Sequence, residues 1–262
     1  MLHGARPPLV RLRAVGPHPG QPVTNGAPGR AVSKPLLVLA LLATTGFAVD
    51  TVASATHPYL PFDVPAARAI QSVPWGPVTA VFAAVDWLEG VRQVVAAGAG
   101  LVVVALLNRR AVPLYLACAL SGAAYSLTEL LIARPRPPAS LVHVARHTAG
   151  FSYPSGHAVF FCWFVPVLVL TVVRPHLPRA LEVAGWVVAA AVLALVGIGR
   201  VDVGEHWPSD VLGGLALGVA WTALALSIRA LSGPLRRRGS PPSRTGRSVR
   251  PGPVVGVGGQ ST

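Results

Sequence analysis

The sequence predicts an all-α fold: a six-transmembrane-helix bundle with its polar, chemistry-bearing loops gathered on one side. Three observations predict it. Apolar residues make up 52% of the 262-residue chain and Asp, Glu, Lys and Arg only 12%, about half the charged share of an average soluble domain. The apolar residues fall into six stretches near the roughly 20 residues that a membrane helix needs. The net charge of +13 is divided between the two ends of the chain and short loops. That distribution argues against a nucleic-acid binder, which presents its cations on one folded face.

The elements follow in order. Residues 1–34 are rich in Pro, Gly and Arg. They show no apolar period and read as a disordered basic tail. The six apolar stretches lie at 35–55, 90–107, 112–133, 157–173, 181–198 and 210–231. Each is rich in Leu, Val and Ala, and none alternates as a barrel strand would. The first is read as a retained helix, because no small-x-small cleavage site follows it. Residues 75–89 form a weaker amphipathic stretch with Trp75, Val78, Phe82 and Val85, and it carries Asp86 and Glu89. It is expected at the interface or as a short reentrant piece. Residues 233–262 read as a second disordered basic tail, which leaves 35–232 as the membrane domain. Cys118 and Cys162 lie in apolar runs and are expected as buried thiols.

Six spans put both tails on one side. With the tails inside, 16 of the 22 Lys and Arg lie on that side. The positive-inside rule then gives an N-in, C-in topology with both tails cytoplasmic. The remaining six are Arg68, Arg92, Arg134, Arg136, Arg146 and Arg200. Trp75, Trp87 and Trp207 lie near helix ends and read as interface anchors.

Two polar connections on the outer side break the apolar pattern. One runs from Arg134-Pro135-Arg136-Pro137-Pro138 to Tyr153-Pro154-Ser155-Gly156-His157. The other runs from Gly199-Arg200 to His206-Trp207-Pro208-Ser209-Asp210. Together they supply arginines, two histidines, a carboxylate and two helix starts, an inventory suited to a phosphate ester. A helix start leaves amides unpaired and carries partial positive charge. Gly156 lets the backbone approach an anion, and Ser155 is placed to cap the helix. His206 and Asp210 are four residues apart, a spacing that brings side chains to one face of a helix. A carboxylate on one imidazole nitrogen leaves the other free to attack. Guanidinium forks match phosphate oxygens in pairs. Each piece alone also fits a blander role as a helix cap or interfacial polar residue.

The ordered set Arg136-Pro137, Pro154-Ser155-Gly156-His157 and Arg200-x5-His206-x3-Asp210 resembles the three motifs of the type 2 phosphatidic acid phosphatase (lipid phosphate phosphatase, vanadium haloperoxidase-like) superfamily. The resemblance covers about residues 129–215, and the helix layout extends it to about 35–231. It implies His206 as the nucleophile, forming a phosphohistidine, with Asp210 orienting and charge-stabilising it. It implies His157 as the general acid. Arg136, Arg200, Ser155 and the Gly156 amide would hold phosphate oxygens. No metal and no other cofactor is expected.

Two positions depart from the pattern. The first motif normally begins with Lys seven residues before its Arg; counting back from Arg136 gives Glu129. Arg134 or Arg146 is then the candidate replacement cation, and Glu129 is expected to turn away. Gly199 stands where a Ser usually opens the third motif. Three outer-loop residues, His143, Arg146 and His147, read either as a headgroup rim or as solvated residues. Asp202 and Glu205 either tune His206 or face water.

The resulting expectation is an integral-membrane phosphatase of the cell membrane, with its site on the extracytoplasmic side. Its substrate would be a lipid phosphate, either an isoprenyl diphosphate such as undecaprenyl diphosphate or phosphatidate. The alternative is a catalytically weakened relative, or a membrane anion transporter without phosphatase activity. Glu129 is its main support.

Overall fold

A computed structural model describes residues 33–146 and 148–235. The tails read from the sequence lie almost wholly outside the described residues, as does His147. Within them the chain is helical, with no strand. The helices are α1 (Lys34–Thr56), α2 (Asp63–Gln71), α3 (Val78–Trp87), α4 (Val91–Asn108), α5 (Val112–Ala119), α6 (Ser121–Ile132), α7 (Gly156–Leu168), α8 (Arg174–His176), α9 (Arg179–Asp202), α10 (Pro208–Ser227) and α11 (Arg229–Ser232).

Among the described residues, five segments are long and apolar enough to cross a membrane: Lys34–Thr56, Val91–Ile132, Gly156–His176, Arg179–Asp202 and Pro208–Ser227. The second and third expected spans fall together in the 42-residue segment Val91–Ile132. It is not straight. A 3₁₀ turn at Arg109–Ala111 breaks it. The Tyr115 hydroxyl then donates to the Ala97 carbonyl at 2.8 Å, so α5 runs back along α4.

Gly156–His176 and Pro208–Ser227 are the inner helices. They are 56% and 61% buried, against 6–17% for the other three segments. Leu42, Val94, Leu106, Leu131 and Val187 are among the exposed apolar side chains of the outer ones, as suits contact with lipid tails. The inner pair approach closely because α10 carries Gly214 and Gly218 at the small-xxx-small spacing. A Cβ at 214 would stand 2.6 Å from the Ser155 carbonyl oxygen, and one at 218 would stand 2.6 Å from Cys162 Cβ. Cys118 and Cys162 are free and buried, as expected.

The Ser33 amide donates to the Ser227 carbonyl at 3.0 Å, so α1 and α10 are antiparallel. At that end Asn108 also bonds the Thr171 carbonyl at 3.0 Å. The loops around 57–90, 133–155 and 203–207 therefore share the opposite end, together with α2 and α3. That end carries the chemistry.

Two local expectations are corrected. Trp207 is no interface anchor: it is 1% exposed, in a cluster with Ala67, Val142, Ala158, Val201 and Val211, and Tyr59 packs against it. The helix expected at 181–198 continues to Asp202, where the Val203 amide still bonds the Gly199 carbonyl. Arg200 therefore sits in the last turn of α9 rather than in a loop.

Candidate active site

Helix starts deliver the two histidines. Ser155 precedes α7 in an extended conformation and places His157 in the first turn. Pro208 opens α10, and the Asp210 carboxylate accepts the Trp207 amide at 2.7 Å, closing the helix start over itself. The Ser155 amide donates to the Asp210 carbonyl at 2.9 Å, which ties the two starts together. His157, His206, Arg136, Arg200 and Gly156 all line one cavity of about 530 Å³. Its remaining walls include Val94, Ala97, Phe160 and Trp163. The cavity thus combines the polar motif residues, Glu89, Gln93, Ser126 and Glu129 with apolar walls from α4 and α7.

His206 is buried, and its Nδ1 lies 2.8 Å from the Ser152 carbonyl oxygen. A carbonyl only accepts, so Nδ1 carries the proton and Nε2 keeps its lone pair. Burial, and then the Arg200 and Arg136 guanidiniums, hold this imidazole well below its ordinary pKa. It is therefore neutral at pH 7. Asp210 is close, but its carboxylate is 3.9 Å from Nδ1, too far for a hydrogen bond. The expected Asp–His bond is replaced by a backbone carbonyl, because Asp210 is already held by the Trp207 amide and by Arg134. His157 is 4% exposed, and its Nε2 is buried without a hydrogen-bond partner. Ser155 Oγ is also buried and unpartnered, so Ser155 does not make the side-chain cap expected of it.

Gly156 has a steric reason as well as an anion-binding one. A Cβ there would lie 2.8 Å from Tyr125 Cζ. Gly199 is explained in the same way: a Cβ would meet the Phe82 ring at 2.8 Å. The hydroxyl usual at that point is excluded by an aromatic contact from α3.

The arginines are heavily paired. Arg136 donates to the Glu205 carbonyl at 2.9 Å and to the Ala149 carbonyl at 3.4 Å, with Nε unpartnered. Burial lowers its pKa, yet an arginine remains charged. Arg200 gives one terminal nitrogen to Asp86 and the other to Glu205. Arg146 bonds Glu205 Oε1 at 2.6 Å and Glu89 Oε2 at 2.8 Å. Arg134 lies elsewhere, buried between Asp63 at 3.1 Å and Asp210 at 2.5 Å. It therefore does not supply a cation to the cavity. Glu129 does not turn away, since it lines the cavity near Tyr125.

Several participants escaped the sequence reading. Asp63, from α2, accepts the Ser209 amide at 2.9 Å and its hydroxyl at 2.7 Å. Asp86 and Glu89 reach the arginines from the end of α3. Glu205 proves to be buried rather than facing water. His143 is pinned through its backbone, its amide donating to Gln71 Oε1 at 3.0 Å.

Residues 110–233 match the family model described as PAP2 superfamily. This stretch, just under half of the chain, is similar to the PAP2 superfamily. The second and third motifs, with Arg134 and Arg136 of the first, fall inside it, whereas Asp63, Asp86 and Glu89 lie before it. Over 75 residues the chain is 38% identical to phosphatidylglycerophosphatase B of Bacillus subtilis (strain 168), covering 28% of this chain and 36% of that one. Over 87 residues it is 34% identical to an undecaprenyl-diphosphatase of Sulfolobus acidocaldarius, covering 33% and 37%. The chain thus spans little more than a third of the length of these curated relatives. The fold is similar to the crystal structure of a transmembrane PAP2 type phosphatidylglycerolphosphate phosphatase from Bacillus subtilis. The TM-score is 0.58 at 22% identity, with 71% of this chain and 94% of that one covered. With its apolar helices, the chain is a multi-span membrane protein that shares the fold of that structure.

Proposed function

We propose that the protein is a lipid phosphate phosphatase that works through a phosphohistidine on His206. One observation carries this reading: residues from all three motifs, far apart in sequence, line a single cavity that also has apolar walls from Val94, Ala97, Phe160 and Trp163. A phosphate held by the motif residues leaves room for a lipid chain along those walls.

In the proposed reaction, His206 Nε2 attacks phosphorus. A P–N bond forms as the P–O bond to the lipid breaks. The departing oxygen takes a proton from His157. Water then cleaves the P–N bond, with His157 accepting the water's proton, and inorganic phosphate leaves with His206 neutral again. Asp210, 3.9 Å from the imidazole, stabilises the positive charge that His206 gains on attack. Ser152 rather than Asp210 sets the tautomer. Arg136, Arg200, Ser155 and the Gly156 amide meet the charge on the phosphoryl oxygens.

We read the 42-residue segment Val91–Ile132 as two spans. As one straight helix it would be about 63 Å long, twice the hydrocarbon core, and α5 folds back on α4. That gives six spans, both tails cytoplasmic and the site at the extracytoplasmic face of the cell membrane. The tails would touch anionic lipids of the inner leaflet. The two relatives point to phosphatidyl or isoprenyl phosphates, the substrates their names carry.

The test is phosphate release from purified full chain in EDTA, comparing an isoprenyl diphosphate with phosphatidate. Release that His206→Ala abolishes supports the reading, and release it leaves intact overturns the nucleophile. No release from either lipid favours the second reading, a catalytically weakened relative, which Glu129 in the cavity wall supports.

A further inference from the structure

Glu205 immediately precedes His206 and is 1% exposed. Its carboxylate is shared: Oε1 accepts from Arg146 Nε at 2.6 Å, and Oε2 accepts from Arg200. Its backbone carbonyl accepts from Arg136 at 2.9 Å. One residue thus touches Arg136, Arg146 and Arg200. Asp86 takes the other terminal nitrogen of Arg200, whose Nε is buried and unpartnered. An arginine binds phosphate through paired N–H groups, and on Arg200 both terminal nitrogens already face carboxylates. A phosphate reaches that fork only when one carboxylate leaves it. Glu205 has somewhere to go. Arg146 already holds its other oxygen, and the Arg146 side chain is 46% exposed, its second carboxylate contact being Glu89 at 2.8 Å.

We infer that Glu205 is a specificity-determining residue, a resident anion that an incoming phosphate must displace from Arg200 while Arg146 retains it. The inference rests on the phosphate-binding role proposed for Arg200. It has a consequence for substrate choice. At a membrane surface the site meets a large excess of phosphodiester headgroups, each with one negative charge. Exchanging the Glu205 carboxylate for another single charge gains nothing at Arg200. A terminal phosphate monoester or diphosphate brings more charge and three oxygens, and wins the exchange. Glu205 therefore excludes bulk phospholipids and admits terminal phosphates, at the cost of weaker binding to both.

The experiment measures binding of inorganic phosphate to the purified full chain by calorimetric titration in detergent, and inhibition by phosphatidylglycerol in mixed micelles. Glu205→Gln keeps the shape and removes the charge. The expected result is phosphate binding about tenfold tighter, the scale set by removing one unit charge a few ångströms from an anion. Inhibition by phosphatidylglycerol should appear in the variant alone. Any KM for a lipid phosphate should fall while kcat does not rise. Phosphate binding that is unchanged or weaker overturns the inference. If Glu205→Gln does not fold, Asp86→Asn frees the same fork from the other side, and the same two outcomes decide. The titration needs no turnover. Tighter phosphate binding in a protein that releases none from any lipid supports the role of Glu205 while the proposed activity falls. Absence of phosphate binding by wild type and variant overturns both.

Discussion

Arg134 separates a structural cation from a substrate-binding one, and its replacement by Met is the sharpest test of the site's architecture. Arg134 is 1% exposed. Its Nη1 reaches Ser209 Oγ at 2.7 Å and Asp210 Oδ1 at 2.5 Å, and its Nη2 reaches Asp63 Oδ2 at 3.1 Å. The side chains of Asp63 and Asp210 are themselves fully buried. Met fills similar space but leaves two buried carboxylates without their cation. Removing one partner of a buried ion pair costs about 3–5 kcal/mol. At about 2–4 °C per kcal/mol for a domain of this size, the melting temperature should drop by about 6–20 °C. Adding Asp63→Asn and Asp210→Asn removes the stranded charges, and much of the loss should return. The assay is thermal unfolding in detergent, run beside titration with inorganic phosphate. In Arg134→Met that remains folded, phosphate affinity should stay within about threefold of wild type, because Arg134 does not line the cavity. A melting temperature within about 2 °C of wild type, combined with a large loss of phosphate affinity, would refute the reasoning. Arg134 would then be an anion ligand standing in for the absent Lys of the first motif.

Other predictions concern the cavity. His157→Ala should slow formation of the phosphohistidine with a lipid leaving group by about 10²–10⁴-fold, and much less with an activated aryl phosphate whose leaving group needs no proton; rapid-quench labelling measures both. The imidazole of His206, held below its ordinary value, should stay neutral as pH falls through about 6.5, the free histidine value. Nitrogen NMR of labelled histidines, assigned with His206→Ala, should show no titration of this ring between pH 7 and 6, and a midpoint at or above 6.5 would count against the burial argument. Gly156→Ala drives a Cβ to 2.8 Å from the Tyr125 ring, an overpacking that costs about 1–3 kcal/mol. Thermal unfolding should show Tyr125→Leu restoring part of that stability. Glu129→Lys should tighten inorganic phosphate binding in a calorimetric titration, since it replaces a cavity carboxylate with a cation.

The parts of the site that were legible in the sequence are those whose partners lie close along the chain. Ser155-Gly156-His157 and His206-x3-Asp210 each belong to one helix start, so spacing and helix geometry bring the side chains near one another. The rest depends on packing. Asp63 reaches Ser209 across 146 positions, and Asp86 reaches Arg200 across 114. No periodicity connects them. Ser152 acts through its backbone carbonyl, which residue type does not reveal. The Asp210–His206 bond failed as an expectation because a short carboxylate with two other donors at 2.5 and 2.7 Å cannot also reach the ring. Apolar counting located the long helices but misjudged α9. Hydropathy falls at Gly199-Arg200, whereas the helix ends only when its backbone bonds do. Trp207 was misread for a related reason. Its position at a helix end was right, but the Tyr59 ring and the Ala67, Val142 and Val211 side chains bury it.

The chain's surplus of positive charge has little to do with phosphate. Among the described residues, Lys34, Arg109, Arg110, Arg174, Arg179 and Arg229 lie at the end opposite the cavity, where Glu182 is the one carboxylate. At the cavity end, Arg68, Arg92, Arg134, Arg136, Arg146 and Arg200 face Asp50, Asp63, Asp86, Glu89, Glu129, Asp202, Glu205 and Asp210. Six cations against eight carboxylates make that end net negative before any histidine is counted. An anionic substrate is therefore not drawn in by a broad positive field. Its attraction must arise at short range, from guanidinium forks freed one contact at a time and from the unpaired amides of a helix start. Attraction that acts within a Debye length of about 10 Å is little screened by salt, and it discriminates by the charge and geometry of the phosphate itself. On the function proposed above, a site built in this way would, in a membrane crowded with phosphodiesters, select on the terminal phosphate instead of on charge in general.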